Sequence, residues 1–324
     1  MANYTIVDCD PGTDDLSNLC LTLTTHDDII AIVTSYGCST LLNAHRNAHL
    51  ILSLLGRTDI PLIAGASRPL LQHPIFGSQL PTFFGSNGIS DVPYPTNFGS
   101  LALPDSTDEG ALEEIASKLT TCEPASVTYV VSGPCTTLAR LLSFDSALVN
   151  SRVREIIVMG GAIELPGNTG IPTSPNGVKK AEFNVYIDVR AFNQVIESCI
   201  PVTLISWDEA RKFLFTLKQV EKLDSDLPSS KFLIQAYKNF FKLYGKVHFC
   251  DDASDPYMTQ IDVVTTLYRL GLGTLSPMTL TASENLSSYG EILRGGKTTV
   301  NVFFLDKSAR PTEYFLNALQ ISER

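Results

Sequence analysis

No two cysteines are spaced Cys-x-x-Cys, and the seven present (Cys9, Cys20, Cys38, Cys122, Cys135, Cys199 and Cys250) are odd in number. That spacing excludes a zinc ribbon and gives no disulfide framework. Reduced, mostly buried thiols in a cytoplasmic or nuclear protein are expected instead. No stretch is long and apolar enough to form a membrane-spanning helix. Met1-Ala2-Asn3-Tyr4 lacks the basic start and apolar run of a signal peptide, so neither export nor a membrane partner is expected. Basic residues are scarce: 24 lysines and arginines stand against 34 acidic residues, a net charge of −10. A nucleic-acid partner, whose phosphates need a basic face, is therefore not expected. Internal repeats, low-complexity tracts and a compositional domain boundary are also missing. Residues 1–324 are accordingly read as one domain, with a hydrophobic fraction of 44% that supplies a sizeable core.

What is present alternates. Thr5-Ile6-Val7 reads as a strand, and Leu16, Leu19, Cys20 and Leu23 then fall on one helical face. Ile29 to Thr34 is a run rich in β-branched residues suited to a strand buried on both sides. A helix is expected from about Asn43 to Leu55, then a short strand at Pro61–Gly65. Further strands are read at Val127–Val131, Ile156–Met159 and Val202–Ile205, with helices marked by Leu138, Leu141 and Leu142 and by Ala191, Phe192, Val195 and Ile196. Such alternation predicts an α/β fold, an open and mostly parallel central sheet with helices on both faces. Two loop-like stretches, Gln72–Pro104 and Leu165–Val178, are rich in Gly, Pro, Ser and Asn. Trp207, the only tryptophan, follows a strand end and is expected to pack rather than to stack on a ligand.

The densest chemistry is Asp8-Cys9-Asp10-Pro11-Gly12-Thr13-Asp14-Asp15, four carboxylates where a buried strand turns into a helix. Such turns lie at the carboxyl edge of an open α/β sheet, where ligands bind. Carboxylates this close repel one another unless a cation or bound hydroxyls offset them. Oxygen donors of this kind suit Ca²⁺ or Mg²⁺ better than zinc. Asp14 and Asp15 could also serve a helix N-terminus alone, but that leaves Asp8 and Asp10 without a role. In the segment Ala181-Glu182-Phe183-Asn184, an extended backbone would put Glu182 and Asn184 on one face and Phe183 on the other.

The cluster resembles the Asp-x-Asp-Pro-Gly-x-Asp-Asp signature of the nucleoside hydrolase family. Further resemblances follow in order: Ser132-Gly133-Pro134-Cys135-Thr136-Thr137, Met159-Gly160-Gly161-Ala162, Gly167-Asn168, Ala181-Glu182-Phe183-Asn184 with Asp188, and Asp255-Pro256 as an Asp-Pro opening a helix. The resemblance implies a ribonucleoside hydrolase that gives ribose and free base. It implies Ca²⁺ held by Asp10, Asp15, Asp255 and the carbonyl of Ser132, with the ribose 2′- and 3′-hydroxyls completing the shell. A water on the metal would be the nucleophile and Asp10 its general base. Asp14 and Asn184 would bind the ribose hydroxyls, Asn168 and Glu182 the 5′-hydroxyl, and Met159 would line the substrate site. The partner implied is a small-molecule nucleoside, and the assembly a homodimer or homotetramer.

Three positions depart from the family pattern. Cys38 follows Gly37 where an Asn is usual, and Phe84-Gly85 stands where His-Gly is common. Ser254 precedes Asp255 where many members carry a His that protonates the leaving base; His248 and Tyr257 are candidates for a replacement acid. A ribose- or nucleoside-binding homologue with weakened catalysis is thus one alternative. The other is a haloacid dehalogenase-type phosphatase, since Asp8-Cys9-Asp10 with Thr13 resembles its Asp-x-Asp-x-Thr loop, although one extra residue precedes Thr13 here.

Overall fold

A computed structural model describes residues 3–26, 28–74, 84–96, 98, 101–103, 108–169, 181–223, 226–244, 257–296, 298–306, 308 and 311–321. Eleven strands lie among them: β1 (Tyr4–Cys9), β2 (Ile29–Thr34), β3 (Leu62–Ala64), β4 (Val127–Val131), β5 (Val153–Met159), β6 (Val202–Ile205), β7 (Leu214–Thr216), β8 (Tyr257–Thr259), β9 (Gly273–Ala282), β10 (Ile292–Arg294) and β11 (Thr298–Leu305). Nine form one sheet in the order β10-β9-β11-β6-β5-β4-β1-β2-β3, while β7 and β8 make a separate antiparallel pair. From β3 through to β11 neighbouring strands run parallel. Only β9 and β10 are antiparallel additions at the far margin.

Period-two alternation sends successive residues to opposite faces of the sheet, and both faces are covered. Val7, Cys9, Ile32, Val130, Ile157 and Met159 pack with Leu16, Leu19 and Leu23 of the helix Thr13–Thr25 and with the helix Pro228–Tyr244. Ile6, Ala31, Val33, Tyr129, Val131, Ile156 and Val158 pack with Ile115, Leu138 and Phe192 from helices on the other side. The predicted α/β class and mostly parallel sheet therefore stand. Unforeseen was the antiparallel margin: β9 alternates with Thr274, Ser276, Thr279 and Thr281 and is half exposed, so it carries no buried apolar run to announce it.

Two local readings are corrected. Phe183–Ile187 is a short helix, not an extended segment, and Glu182 is its N-cap, its side chain accepting from the N–H groups of Asn184 and Val185. Residues Tyr257–Thr259, directly after Asp255-Pro256, form β8; the helix expected there begins at Val263, after Asp262. Trp207 packs as expected, buried, with its indole N–H donating to the Pro166 carbonyl at 3.0 Å.

The order β3-β2-β1-β4-β5-β6 places a topological switch between β1 and β4. Chains leaving those two strands diverge to opposite sides and open a crevice at the carboxyl edge. Asp10 follows β1 and Ser132 follows β4, so the sheet delivers both to one place.

Candidate active site

Backbone close approach builds the floor of the crevice. Asp10 is wedged between two glycines: a Cβ on Gly37 would lie 1.9 Å from Asp10 Oδ2, and one on Gly133 would lie 2.7 Å from Asp10 Oδ1. No side chain larger than hydrogen fits at either position without moving the carboxylate. Cys38, the departure noted above, donates its backbone N–H to Asp10 Oδ2 at 2.6 Å. One turn into the helix, Asp15 accepts from the Gly12 N–H at 3.1 Å and from the Ser132 hydroxyl at 3.2 Å.

A fourth carboxylate completes the group, and the sequence reading missed it. Asp262, just ahead of the helix Val263–Arg269, lies with Asp14 and Asp15 so that one oxygen from each falls within 4.8 Å of the others. Asp10, Asp15 and the Cys38 thiol form an overlapping group of the same size. Asp10, Asp14, Asp15 and Asp262 are all buried. The signal available in sequence was slight: one Asp before a buried Val263-Val264-Thr265-Thr266 run, with Ile261 in front of it. Asp255, Ser254 and His248 lie outside the described residues.

Electrostatics follow from this crowding. Burial pushes Asp10 well above the ordinary carboxylate range, and the Cys38 N–H only partly opposes it. Burial, and then the charges of Asp10 and Asp14, raise Asp15. Burial, and then Asp15, Asp14 and Asp10, raise Asp262, which a side-chain hydrogen bond links to Asp14. Asp14 is pushed up to about 6, chiefly by burial. Asp14 Oδ1 and Asp262 Oδ1 are buried yet accept no hydrogen bond from the described residues. Unpartnered buried carboxylate oxygens are costly and are usually paired or metal-bound. The donor set is all oxygen apart from one thiol, so the residues fit a hard divalent cation.

That arrangement makes the metal-free protein pH-sensitive in a definite direction. Carboxyl groups whose pKa is raised on folding contribute stability that is complete below the unfolded value and lost as pH rises through the folded one. For Asp14 the window runs from 3.8 to about 6. A change of that size in one buried carboxyl corresponds to about 3 kcal/mol, and Asp10, Asp15 and Asp262 extend the loss to higher pH. With a chelator present, the melting temperature should fall between pH 5 and pH 8, and an added hard divalent cation should restore most at pH 8. A chelated protein that melts higher at pH 8 than at pH 5 would contradict this account.

The substrate-side candidates converge on the same crevice. Asn184 Nδ2 donates to the Ser132 carbonyl at 3.1 Å and approaches the Met159 carbonyl and Sδ at 3.4 and 3.5 Å. A carbonyl oxygen has two lone pairs, so Ser132 keeps one for a cation. Glu182, fully buried, accepts from the N–H groups of Gly161, Asn184 and Val185 at 3.0, 2.9 and 3.2 Å. Asn168 Oδ1 accepts from the Phe183 N–H at 2.8 Å and its side chain bonds Glu182. Asp188 ties three segments, accepting from Thr136 Oγ1, the Leu70 N–H and the Ala191 N–H. Asp8 turns away from the cluster: it is fully buried and accepts from the Tyr129 hydroxyl at 3.3 Å. A phosphatase would need Asp8 as its nucleophile, and this placement denies it that access.

Comparison with known proteins agrees with the geometry. Residues 5–308 match the family model described as inosine-uridine preferring nucleoside hydrolase. The inosine-uridine preferring nucleoside hydrolase of Crithidia fasciculata is 28% identical over 276 residues, covering 82% of each chain. The pyrimidine-specific ribonucleoside hydrolase RihA of Escherichia coli O1:K1 / APEC is 33% identical over 247 residues, 76% of this chain and 73% of that one. Among solved structures, the plant nucleoside hydrolase PpNRh1 aligns with a TM-score of 0.82 at 22% identity, over 99% of this chain and 100% of the other. The inosine-uridine preferring nucleoside hydrolase of Bacillus anthracis aligns at 0.77 and 20%, over 98% and 99%.

Proposed function

This chain belongs to the inosine-uridine preferring nucleoside hydrolase family, an N-glycosidase family, and on that premise we propose that it hydrolyses ribonucleosides with calcium as cofactor. The observation that carries the calcium reading is the buried oxygen cluster at the β1–β4 switch, with Asp14 Oδ1 and Asp262 Oδ1 unpartnered among the described residues. Asp10, Asp15, Asp262 and the Ser132 carbonyl would hold the ion, Asp262 taking the place that the sequence reading gave to Asp255. Calcium, when bound, supplies a Lewis acid that makes water easier to deprotonate.

The chain's own residues do the rest. Asp10 takes the proton of the attacking water; it is buried, it starts with a raised pKa, and the two glycines fix its carboxylate. Asp14 and Asn184 receive the ribose hydroxyls, and Glu182 with Asn168 holds the 5′-hydroxyl. Ribose clamping fixes the anomeric carbon opposite the water, which removes much of the entropic part of the barrier. The carboxylates also face the positive charge that grows on the sugar ring as the glycosidic bond lengthens.

Release of free base from a nucleoside panel, followed by chromatography with and without chelator, tests the activity. Calcium-dependent ribose binding with no base released would favour a binding protein instead. The ligand assignment has its own test. Asp262→Ala should weaken calcium binding by at least about 100-fold in calorimetry, since even outer-shell changes cost 10- to 100-fold. Asp255→Ala should leave calcium affinity near the wild-type value. The reverse pattern would return the third carboxylate to Asp255.

A further inference from the structure

Residues 160–169 continue from β5 in bends alone, with no helix or strand of their own. Glu164, Leu165 and Pro166 are exposed, so apolar burial does little to hold them. What holds them is the turn after β6, where Trp207 and Asp208 open a four-residue helix. The Trp207 N–H donates to the Gly161 carbonyl at 2.8 Å, and its indole N–H donates to the Pro166 carbonyl at 3.0 Å. Asp208 Oδ2 accepts from the Ile163 N–H at 2.7 Å, and its Oδ1 accepts from the N–H groups of Glu164 and Leu165 at 2.9 and 2.8 Å. Three successive N–H groups thus surround one carboxylate, and hydrogen bonds to an ionised group are roughly twice as strong as neutral ones.

Both ends of this loop reach Glu182. At the near end the Gly161 N–H donates to Glu182 Oε2 at 3.0 Å. At the far end Gly167 runs against the backbone of Ala181, where a Cβ would lie 1.7 Å from the carbonyl oxygen. Asn168 comes next; its Oδ1 accepts from the Phe183 N–H at 2.8 Å and its side chain bonds Glu182. The Asn168 amide and the Glu182 carboxylate are therefore fixed to each other and to a loop that Trp207 and Asp208 pin in its middle. Neither of those two residues belongs to the carboxylate cluster. Asp208 is half-buried, so water can reach the three N–H groups when its carboxylate is gone. Its loss should shift the loop rather than unfold the protein.

We propose that Asp208, with Trp207 beside it, is a positioning residue for the 5′-hydroxyl subsite, acting through the loop 160–169 on Asn168 and Glu182. This role rests on the reading that Asn168 and Glu182 receive that hydroxyl. A polar group displaced by about 1 Å can cost as much as 10²-fold in rate, and a loop released from five hydrogen bonds moves on that scale. The loss falls on substrates that carry the 5′-hydroxyl, because only they use the displaced groups.

Base release by the calcium-loaded enzyme is measured for inosine and uridine, each with its 5′-deoxy and 2′-deoxy forms. In the wild type the 5′-hydroxyl should raise kcat/KM by about 10²- to 10⁴-fold, as in sites built to bond a substrate hydroxyl. Asp208→Ala should cut that advantage by about 10-fold or more. The 2′-hydroxyl advantage should stay within about 2-fold, as expected of a site that is not coupled to the loop. Asp208→Asn keeps an oxygen that can accept from Glu164 and Leu165, and its 5′ advantage should fall between those of the wild type and Asp208→Ala. A 5′ advantage present in the wild type and unchanged in Asp208→Ala would overturn the positioning role and leave the hydroxyl assignment intact. Equal loss of the 5′ and 2′ advantages would also overturn it, since that is the mark of a general packing defect. A wild type that cleaves the ribonucleosides with no 5′ advantage would overturn both the role and the assignment, and no cleavage of either ribonucleoside would overturn the hydrolase reading with them. Should Asp208→Ala lose its melting transition, Asp208→Asn and Trp207→Phe, which lacks the indole N–H, decide by the same pair of ratios.

Discussion

Asp10→Ala should lower kcat by about 10⁴-fold or more, the largest loss expected from any single side chain here. Two functions vanish together. The substitution removes a carboxylate that lies within 4.8 Å of Asp15 and Cys38 ligand atoms, and it removes the base proposed to take the water's proton. Neighbouring groups cannot stand in. Asp15 is already engaged by Gly12 and Ser132, and Asp262 by its hydrogen bond with Asp14. Asp10→Asn separates the functions in part, because an amide oxygen can still coordinate while the base is gone. Calcium affinity should then fall less than in Asp10→Ala while kcat stays low. Calorimetry for calcium and a base-release assay on the same preparations would check this. Near-wild-type turnover by Asp10→Ala, after chelation and return of calcium, would remove Asp10 from both roles.

The parallel sheet was legible because its strands are buried on both faces and so read as unbroken apolar runs, Ile29–Thr34 and Val127–Val131 above all. The location of the site was legible for a related reason: four carboxylates at a strand-to-helix turn have no packing explanation, so they stand out from the core pattern. Less could be read where one backbone segment does two jobs. Glu182 looked like half of a strand alternation, yet its carboxylate caps a five-residue helix through two N–H groups, too short an element for periodicity to reveal. Asp262 was hidden for the opposite reason. It is a single acid ahead of an apolar helix, ordinary as a sequence feature, and only the packing of that helix against Thr13–Thr25 brings it to Asp14 and Asp15. Thr22 and Thr266, hydrogen-bonded across that contact, show how closely the two helices approach. An Asp-Pro pair, its Asp seven positions earlier, resembled the family pattern more closely in letters.

A 2′-deoxynucleoside should be a substrate poorer by about 10⁴-fold in kcat/KM than its ribo counterpart. Asp14 Oδ1 is buried and has no hydrogen-bond donor among the described residues. A ribose hydroxyl placed there would donate to that oxygen and could also turn a lone pair toward the cation. Its absence leaves a desolvated carboxylate oxygen unpaired and the metal's coordination shell incomplete. Sites shaped around a substrate hydroxyl reject the analogue lacking it far more strongly than apolar pockets reject a missing methylene. On this proposal Asn184 would act beside it: with Nδ2 donating to the Ser132 carbonyl, its Oδ1 would accept from the neighbouring hydroxyl. Uridine against 2′-deoxyuridine, at saturating calcium, gives the measurement. The effect should appear in kcat as well as in KM, because the hydroxyl both anchors the sugar and sets the anomeric carbon against the water. In Asp14→Ala the discrimination should shrink, chiefly through loss of the ribo substrate's advantage. Equal turnover of the two nucleosides by the wild type would mean that neither Asp14 nor the cation meets the 2′-hydroxyl.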